Sequence, residues 1–241
     1  MLLGKRRRIK PLCRAFLRLR ENVQNRKKIL KFKKEKWEKF VYHFKKKSKF
    51  YRKYKFKDQS LYLASKLTIK PLSYKQRFKN NLLTYKRLVL YYGGMTKRKF
   101  KKFISNSNLK DNRKVILTNF EKRIDTVLFR AKFCISIRNS RQFISHGNVL
   151  VNNMKVKTGS YKLKQGDLVT INSKAYETIE RNLVYQFRNS NIWPLPPKYL
   201  YINYKTMEIV FGCIKTKNDL TFINFDFPLN LERISQSCRY Q

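Results

Sequence analysis

Residues 123–172 carry a hydrophobic pattern whose period changes along the segment, and this change restricts the folds that the segment can form. The first apolar residues recur at three- and four-residue spacing, at Ile124, Val127, Leu128 and Ala131. Such spacing puts all four side chains on one face of an amphipathic helix. The segment therefore predicts a helix that packs this face into a core.

A second, shorter helix is predicted from Asn139 to Ser145. It would bury Phe143 and Ile144. It would end at Gly147, because glycine readily adopts the left-handed conformation that terminates helices.

Strand-like alternation follows this glycine. Val149 and Val151 point to one side of a predicted strand, and Asn152-Asn153 makes a turn into Lys155-Val156-Lys157. Two small helices beside a basic hairpin are typical of a compact RNA-binding module.

The residues of this module resemble the S-four RNA-binding domain. Tyr92-Gly93 upstream and residues 194–208 downstream extend the resemblance to the ribosomal small-subunit protein S-four family, over roughly residues 71–234. The resemblance implies an α+β fold with three parts. These are a mostly helical N-terminal region with a basic arm, a small αα-plus-β-hairpin S-four RNA-binding domain, and a C-terminal segment packing back on the helical region.

The predicted division of the chain has four parts. They are a basic helical arm at 1–60, a helical rRNA-binding region at 61–120, the S-four domain at 121–174, and a C-terminal segment at 175–241 that completes the helical domain. Pro194, Pro196 and Pro197 prevent a helix from continuing through the last part. Short strands are predicted after them, at 202–204 and 207–211.

The charge of the chain calls for a polyanionic partner. There are 58 Lys and Arg residues against 14 Asp and Glu, a formal net charge of +44. The excess is concentrated in residues 1–60, with 24 basic and 4 acidic residues, and in residues 61–120, with 15 and 1. A chain with this charge repels itself unless a polyanion neutralises it.

Aromatic residues distinguish between a solvated tail, a membrane-binding surface and a nucleic-acid ligand. Disordered tails are poor in aromatics, whereas this basic region is rich in them. Apolar residues keep near-helical spacing at Leu12, Phe16, Leu19, Val23, Leu30, Trp37, Phe40 and Phe44. This spacing predicts a long basic helix in a groove of folded RNA, with most of the aromatics used for packing.

No apolar run approaches the roughly 20 residues of a membrane span.

No catalytic or metal-binding constellation is predicted, so neither an enzyme nor a cofactor is expected. The cysteines are far apart, without the close pairs of zinc sites, at Cys13, Cys134, Cys213 and Cys238. The two histidines, His43 and His146, show no pairing with a nucleophile. Asp125 and Asp167 are expected to have structural roles, Asp125 because it suits the first turn of a helix.

Two other protein classes carry S-four domains. Some RNA-modifying enzymes and aminoacyl-tRNA synthetases append one to a catalytic domain, but the 67 residues after position 174 are too few for an RNA-modifying one. The first 120 residues have no nucleotide-binding signature. The alternative that stays open is a non-ribosomal RNA-binding factor, acting in ribosome repair or translation regulation.

The RNA contacts are predicted to come from basic residues of the module and of the run upstream of it. The candidates are Lys97, Arg98, Lys99, Lys101, Lys102, Arg123, Arg138, Arg141, His146, Lys155 and Lys157. His146 belongs to the family's Ser-His-Gly signature, which leaves either an RNA contact or a structural cap. The family often has Thr-Arg where this chain has Ser136-Ile137, so Arg138 stands one place later.

The resemblance also implies partners and a location. Such a protein binds the 5′ region of small-subunit rRNA, nucleates assembly, and lies near the mRNA entry region beside ribosomal protein S-five. A membrane partner and a homo-oligomer are not expected. Few glycines with abundant Lys, Asn, Ile, Phe and Tyr suggest an AT-rich organellar genome, and the long basic arm favours a mitochondrion, with a plastid as the alternative.

Neutralising the basic run Lys97–Lys102 is expected to weaken rRNA binding and its dependence on salt. The slope of log K against log salt is negative. Each phosphate contact that is lost reduces its magnitude by roughly 0.7 to 0.9, because fewer counterions are released. Filter binding at a series of salt concentrations measures this slope. An unchanged slope would show that the run does not touch RNA.

Overall fold

The computed structural model describes residues 12–24, 31–42, 73–95, 100, 112–189 and 196–214. The chain divides into two compact units. The N-terminal unit comprises Met1–Tyr91 with Phe225–Asn230, and the central unit comprises Tyr92–Asn224 with Leu231–Gln241.

The N-terminal unit is helical in its described parts. Helix α1 spans Leu12–Leu19 and helix α2 spans Tyr74–Tyr91. Residues 35–42 are also helical. A shared apolar core is formed by Phe16, Leu19, Val23, Trp37, Phe40, Val41 and Leu90. The expectation that the aromatics of this region serve packing is confirmed for Phe16, Trp37 and Phe40.

The prediction of one long basic helix through the arm is wrong, because α1 ends at Leu19 and the chain turns there. Arg20 has a φ of +53°, and its backbone N–H donates to the carbonyl of Leu17 at 3.2 Å. The N–H of Glu21 donates to the carbonyl of Phe16 at 3.3 Å. This pair of bonds is a Schellman motif, which normally has glycine at the left-handed position. Leu30 and Phe44 lie outside the described residues.

The first helices of the central unit follow the predicted pattern. Helix α3 spans Asn112–Glu121 and helix α4 spans Ile124–Arg130. The predicted stripe is confirmed, since its four side chains are fully buried at Ile124, Val127, Leu128 and Ala131.

Helix α5 spans Ile137–Ser145 and begins two residues earlier than predicted. Ser136 caps it, because its hydroxyl accepts a hydrogen bond from the N–H of Asn139 at 3.2 Å. The helix ends as predicted at Gly147, which has a φ of +75° and follows the cap residue His146.

The central unit also contains an antiparallel five-stranded sheet. Its strands are β1 Val149–Val151, β2 Met154–Lys155, β3 Leu168–Ile171, β4 Leu200–Asn203 and β5 Glu208–Phe211, in the order β2-β1-β3-β5-β4. Val151 pairs with Met154, so Asn152 and Asn153 form a two-residue hairpin turn. The predicted turn is confirmed, and its φ values of +49° and +65° are those of type I′. The α+β fold is therefore confirmed.

The C-terminal strands extend the sheet of the S-four region. β5 pairs with β3 through Leu168 and Val210, and β4 pairs with β5. The described part of the C-terminal segment is therefore built onto the S-four sheet. The four-part division of the chain stays a prediction.

Helix α6, Tyr176–Asn189, was not predicted. Its inner face carries Ile179, which is buried, and two amides. The Asn182 amide donates to the carbonyl of Phe133 at 3.0 Å, and the Gln186 amide donates to the carbonyl of Lys132 at 2.7 Å. These bonds fix α6 against the turn after α4. None of the helices in the described ranges is long and apolar enough to cross a membrane.

A buried carboxylate ties the parts of the central unit together. Glu121, at the end of α3, is fully buried. It accepts hydrogen bonds from the hydroxyls of Tyr92 at 2.9 Å and Tyr199 at 2.8 Å. The Arg130 guanidinium donates twice to it, both at 3.0 Å. Glu121 thus joins α3 to α4, to the segment before α3 and to the segment before β4.

Replacing Glu121 by Gln is expected to lower the free energy of unfolding by about 3 kcal/mol, because the Arg130 guanidinium then lacks its buried counter-charge. Urea unfolding followed by circular dichroism measures the loss.

Glu177→Gln is the matched control, since Glu177 and its ion-pair partner Arg181 are both exposed. That substitution should cost about 0.5 kcal/mol or less. Equal losses for the two variants would contradict a structural role for the buried carboxylate.

Candidate nucleic-acid interface

Two of the predicted RNA contacts, Arg123 and Arg141, bind a carboxylate inside the protein. Asp125 is fully buried in the first turn of α4. The Arg123 guanidinium donates to its two oxygens at 3.0 and 2.7 Å, and Arg141 Nε donates to it at 2.7 Å. Arg123 has almost no exposed side-chain surface, whereas 29% of the Arg141 side chain is exposed. Sharing one carboxylate between two guanidinium groups offsets the cost of burying its charge.

Arg141 also fixes the position of α5. Its two terminal nitrogens donate to the carbonyls of Tyr92 and Gly93, both at 2.7 Å. Gly93 has a φ of +77°, and a β-carbon there would lie 3.0 Å from Ile137 and 3.1 Å from the Arg141 guanidinium. The close approach of backbone and guanidinium therefore needs glycine at 93.

The remaining candidates of the module lie at its surface. His146, Lys155 and Lys157 are exposed, and Arg138 is half-buried. The Lys155 side chain crosses directly over Gly147, where a β-carbon would lie 2.8 Å from its Nζ. Lys155 thereby places its ammonium at the carboxyl end of α5 beside His146, where the helix dipole favours a cation.

Two further polar residues, which were not predicted from the sequence, lie on the same exposed side of the module. Gln142 and Ser145 are exposed on α5. With Arg138 they fall at i, i+4 and i+7, which is one face of a helix. This spacing could have identified Gln142 and Ser145 from the sequence, because it continues the helix face of Arg138 toward His146. We call the exposed set Gln142, Ser145, His146, Lys155 and Lys157 the hairpin surface.

The basic run Lys97, Arg98, Lys99, Lys101 and Lys102 lies outside the described residues. RNA contact by any of the predicted residues stays a prediction.

The described residues offer little for catalysis or metal binding. In those ranges no three His, Cys, Asp or Glu side chains come together as a metal site. Cys134 is buried, and burial raises the pKa of its thiol to about 12 despite a hydrogen bond with Ser140. A thiol with this pKa is protonated at neutral pH and unreactive.

Comparison with known proteins finds the S-four domain and longer matches to ribosomal proteins. The family model of the S4 domain, called S-four above, matches residues 122–169. The small ribosomal subunit protein uS4m of Marchantia polymorpha is 33% identical over 150 residues, which cover 62% of this chain and 76% of the relative. The uS4 proteins of Cereibacter sphaeroides and Rhizobium etli are 31% and 27% identical. These matches cover 58% and 55% of this chain, and 71% and 63% of the relatives.

Replacing Asp125 by Asn is expected to lower the free energy of unfolding by about 3 kcal/mol, because two guanidinium groups lose their counter-charge. The freed Arg141 should also loosen α5 from residues 92–93. Urea unfolding and amide hydrogen exchange of α5 measure the two effects.

Asp167→Asn is the control, since Asp167 is only half-buried and accepts bonds from the N–H of Lys164 and the amide of Asn152. Its loss should cost about 1 kcal/mol and leave exchange in α5 unchanged. If Asp125→Asn were no more damaging than this control, the shared carboxylate would not position α5.

Proposed function

This chain belongs to the small ribosomal subunit protein uS4 family, and from that membership we propose that it is a structural constituent of a mitochondrial small ribosomal subunit that binds small-subunit rRNA. The observation that carries the proposal is the match to uS4m, which extends well beyond the S-four domain in a chain with a net charge of +44. A protein that used the S-four domain alone would need no similarity outside residues 122–169.

The hairpin surface is the proposed RNA-facing part of the S-four domain. It combines two lysines and a histidine with hydroxyl and amide groups, all exposed on α5 and the hairpin. Lysines bind phosphates as point charges, while hydroxyls and amides suit ribose 2′-hydroxyls and base edges. Arg138 borders this surface one turn before Gln142.

Arg123 and Arg141 have a positioning role in this proposal. Both guanidinium groups are held by Asp125, and Arg141 also binds two backbone carbonyls. They fix α5 relative to α4. Because Gln142 and Ser145 lie on α5, this also fixes the position of the hairpin surface. The exposed part of Arg141 leaves room for an additional phosphate contact, whereas Arg123 offers almost none.

The basic N-terminal half supplies most of the affinity. Neutralising phosphates with lysines and arginines releases counterions, and this release dominates nonspecific binding to nucleic acids. The run Lys97–Lys102 lies within this half, upstream of the S-four domain. We propose that it contacts rRNA as well.

The finer features of the role rest on the family. We propose that the protein binds the 5′ region of small-subunit rRNA, nucleates assembly there, and lies near the mRNA entry region beside ribosomal protein S-five. It acts without a cofactor and without catalysing a reaction. The similarity to uS4m and the long basic arm favour a mitochondrion, and a plastid is the alternative. A non-ribosomal RNA-binding factor is less well supported, because the match to uS4m covers 150 residues, far more than the S-four match at 122–169.

Replacing both Lys155 and Lys157 by Gln is expected to reduce the magnitude of the slope of log K against log salt by about 1.5, because two phosphate contacts disappear. The measurement is filter binding of the full chain to a transcript of the 5′ region of small-subunit rRNA, over a series of KCl concentrations.

The control removes two positive charges at the opposite side of the sheet, by replacing Lys198 and Lys205 with Gln. Both lysines are exposed and flank β4, the edge strand farthest from β2. This double variant should change the slope by less than about 0.5, since each contact accounts for more than that. Equal slopes for the two variants would show that the hairpin surface does not face rRNA.

A further inference from the structure

The five-stranded sheet has one face that packs against helices. Helices α4, α5 and α6 lie on this face, in a core that includes Val169 of β3 and Ile209 of β5. Side chains alternate between the two faces along a strand, so Leu168, Glu208 and Val210 lie on the opposite face. None of these three residues belongs to the core that the helices share.

An apolar row crosses this opposite face from β3 to β4. Leu168 lies opposite Val210, and Val210 lies opposite Tyr201. Leu168 is half-buried, whereas 38% of Val210 and 66% of Tyr201 are exposed. Directly opposed side chains on neighbouring strands contact one another, so the row forms one continuous apolar strip. We call Leu168, Tyr201, Glu208 and Val210 the outer sheet surface.

The ring of Tyr201 is held in place by a glycine. A β-carbon on Gly212 would lie 2.9 Å from Cε2 of Tyr201, so the ring lies directly over the backbone of residue 212. Gly212 is itself fixed, because its N–H donates to the carbonyl of Tyr199 at 2.8 Å. The ring is thus positioned before a partner binds, which lowers the entropic cost of using it in an interface.

A carboxylate borders the apolar strip. Glu208 lies two residues before Val210 on β5, so both side chains are on the outer sheet surface. The carboxylate accepts a hydrogen bond from the hydroxyl of Thr206 at 2.8 Å. No Lys or Arg side chain within the described ranges forms an ion pair with it. Glu208 can therefore bind a cation of another molecule.

β4 is the last strand of the described sheet, and its outer edge carries backbone groups that can pair with a further strand. The N–H of Gly212 donates to the carbonyl of Tyr199, and bonded residues alternate along an antiparallel ladder. The N–H and C=O of Ile202 therefore point away from β5. Strand Leu200–Asn203 also lacks the charged residues and prolines that protect many natural edge strands from pairing.

The charge around β4 disfavours RNA as the ligand of this surface. Residues 199–214 contain one basic residue, Lys205, whereas 58 of the 241 residues in the chain are basic. A phosphate on the outer sheet surface would lie near Glu208 and would find no cation there to neutralise it. An apolar strip, a carboxylate and a strand edge suit an extended protein segment, which binds through its backbone and uses alternate side chains for specificity.

We infer that the outer sheet surface and the edge of β4 bind an extended segment of a neighbouring protein in the small subunit. The segment adds a sixth strand beside β4 and packs an apolar side chain against Tyr201. A lysine of the segment, opposite Asn203, reaches Glu208, which is the cross-strand partner of Asn203. The distance is two strand spacings, about 10 Å, which the lysine and glutamate side chains span together. The inference rests on the proposed function, since it places the partner in the small subunit.

Carbodiimide cross-linking of intact small subunits tests the lysine contact. This reagent joins a carboxylate to an amine only where the two touch. Mass spectrometry should find Glu208 linked to a lysine of another protein, within a segment in which lysine and apolar residues alternate. A link from Glu208 to a lysine of this same chain, or no link at all, would contradict the inference.

Glu177 is the matched control, because it is an exposed carboxylate on the helix-packed side of the sheet, in α6. Its ion-pair partner is Arg181, and a guanidinium does not couple to the reagent. Glu177 should form no link to another protein. If both carboxylates were linked to other proteins equally often, the link from Glu208 would reflect crowding in the subunit and the inference would fail.

Iodination compares Tyr201 in intact subunits with Tyr201 in the free chain. Burial in the core of an interface should lower its iodination by about tenfold. Tyr185 of α6, which is 54% exposed, is the matched control and should react to the same extent in both samples. Equal iodination of Tyr201 in the two samples overturns the inference. Protection of Tyr201 without a link from Glu208 to another protein assigns the surface to RNA and overturns it too.

Amide hydrogen exchange tests the pairing of the strand edge. The N–H of Ile202 should exchange more slowly in the subunit than in the free chain, by about tenfold or more, because a partner strand accepts its hydrogen bond. The N–H of Tyr201 is the control, since it faces β5 in both states. Unchanged exchange at Ile202 would show that no strand is added to β4.

The sedimentation of the chain separates the failure of this inference from the failure of the proposed function. Absence of the chain from the small-subunit fractions would sink both. A chain that sediments with the small subunit, but leaves Tyr201 as reactive as in the free chain, would overturn the docking of a partner strand alone.

Discussion

Two buried carboxylates hold the central unit together in a chain that has few acids. Glu121 and Asp125 are both fully buried, and each binds at least one arginine. With 14 acidic residues against 58 basic ones, most cations of this chain cannot pair with an acid of the same chain, and their repulsion opposes compaction. Placing two of the acids in the core, within hydrogen-bonding distance of Arg130 and Arg141, turns a few of those cations into cross-links between helices.

Burial separates the cations that hold the fold from the cations that are proposed to bind RNA. Arg123 lies inside the central unit, while Lys155 stays exposed over the end of α5. The N-terminal unit follows the same rule. The Arg87 guanidinium donates to the carbonyl of Leu19 at 2.9 and 3.2 Å, and so stabilises the end of α1. The proposed RNA-binding groups of both units are thus held on frameworks fixed by neighbouring arginines.

Local patterns in the sequence predicted the local structure well. The stripe from Ile124 and the turn at Asn152-Asn153 depend on residues a few positions apart, and both could be predicted from the sequence. Contacts between distant residues could not be predicted in this way. Nothing near Arg141 in the sequence shows that its guanidinium binds Asp125, or that β5 pairs with β3. The end of α1 was missed because Arg20 takes a conformation for which the sequence signal is glycine.

The most direct test of the ribosomal assignment is sedimentation of the tagged protein from mitochondrial lysate through a sucrose gradient, with sequencing of the RNA in its fractions. The protein should migrate with the small subunit and its rRNA, and it should stay there at moderate salt because many contacts act together. Migration near the top of the gradient, with tRNA or mixed RNA, would contradict the assignment and favour a free RNA-binding factor.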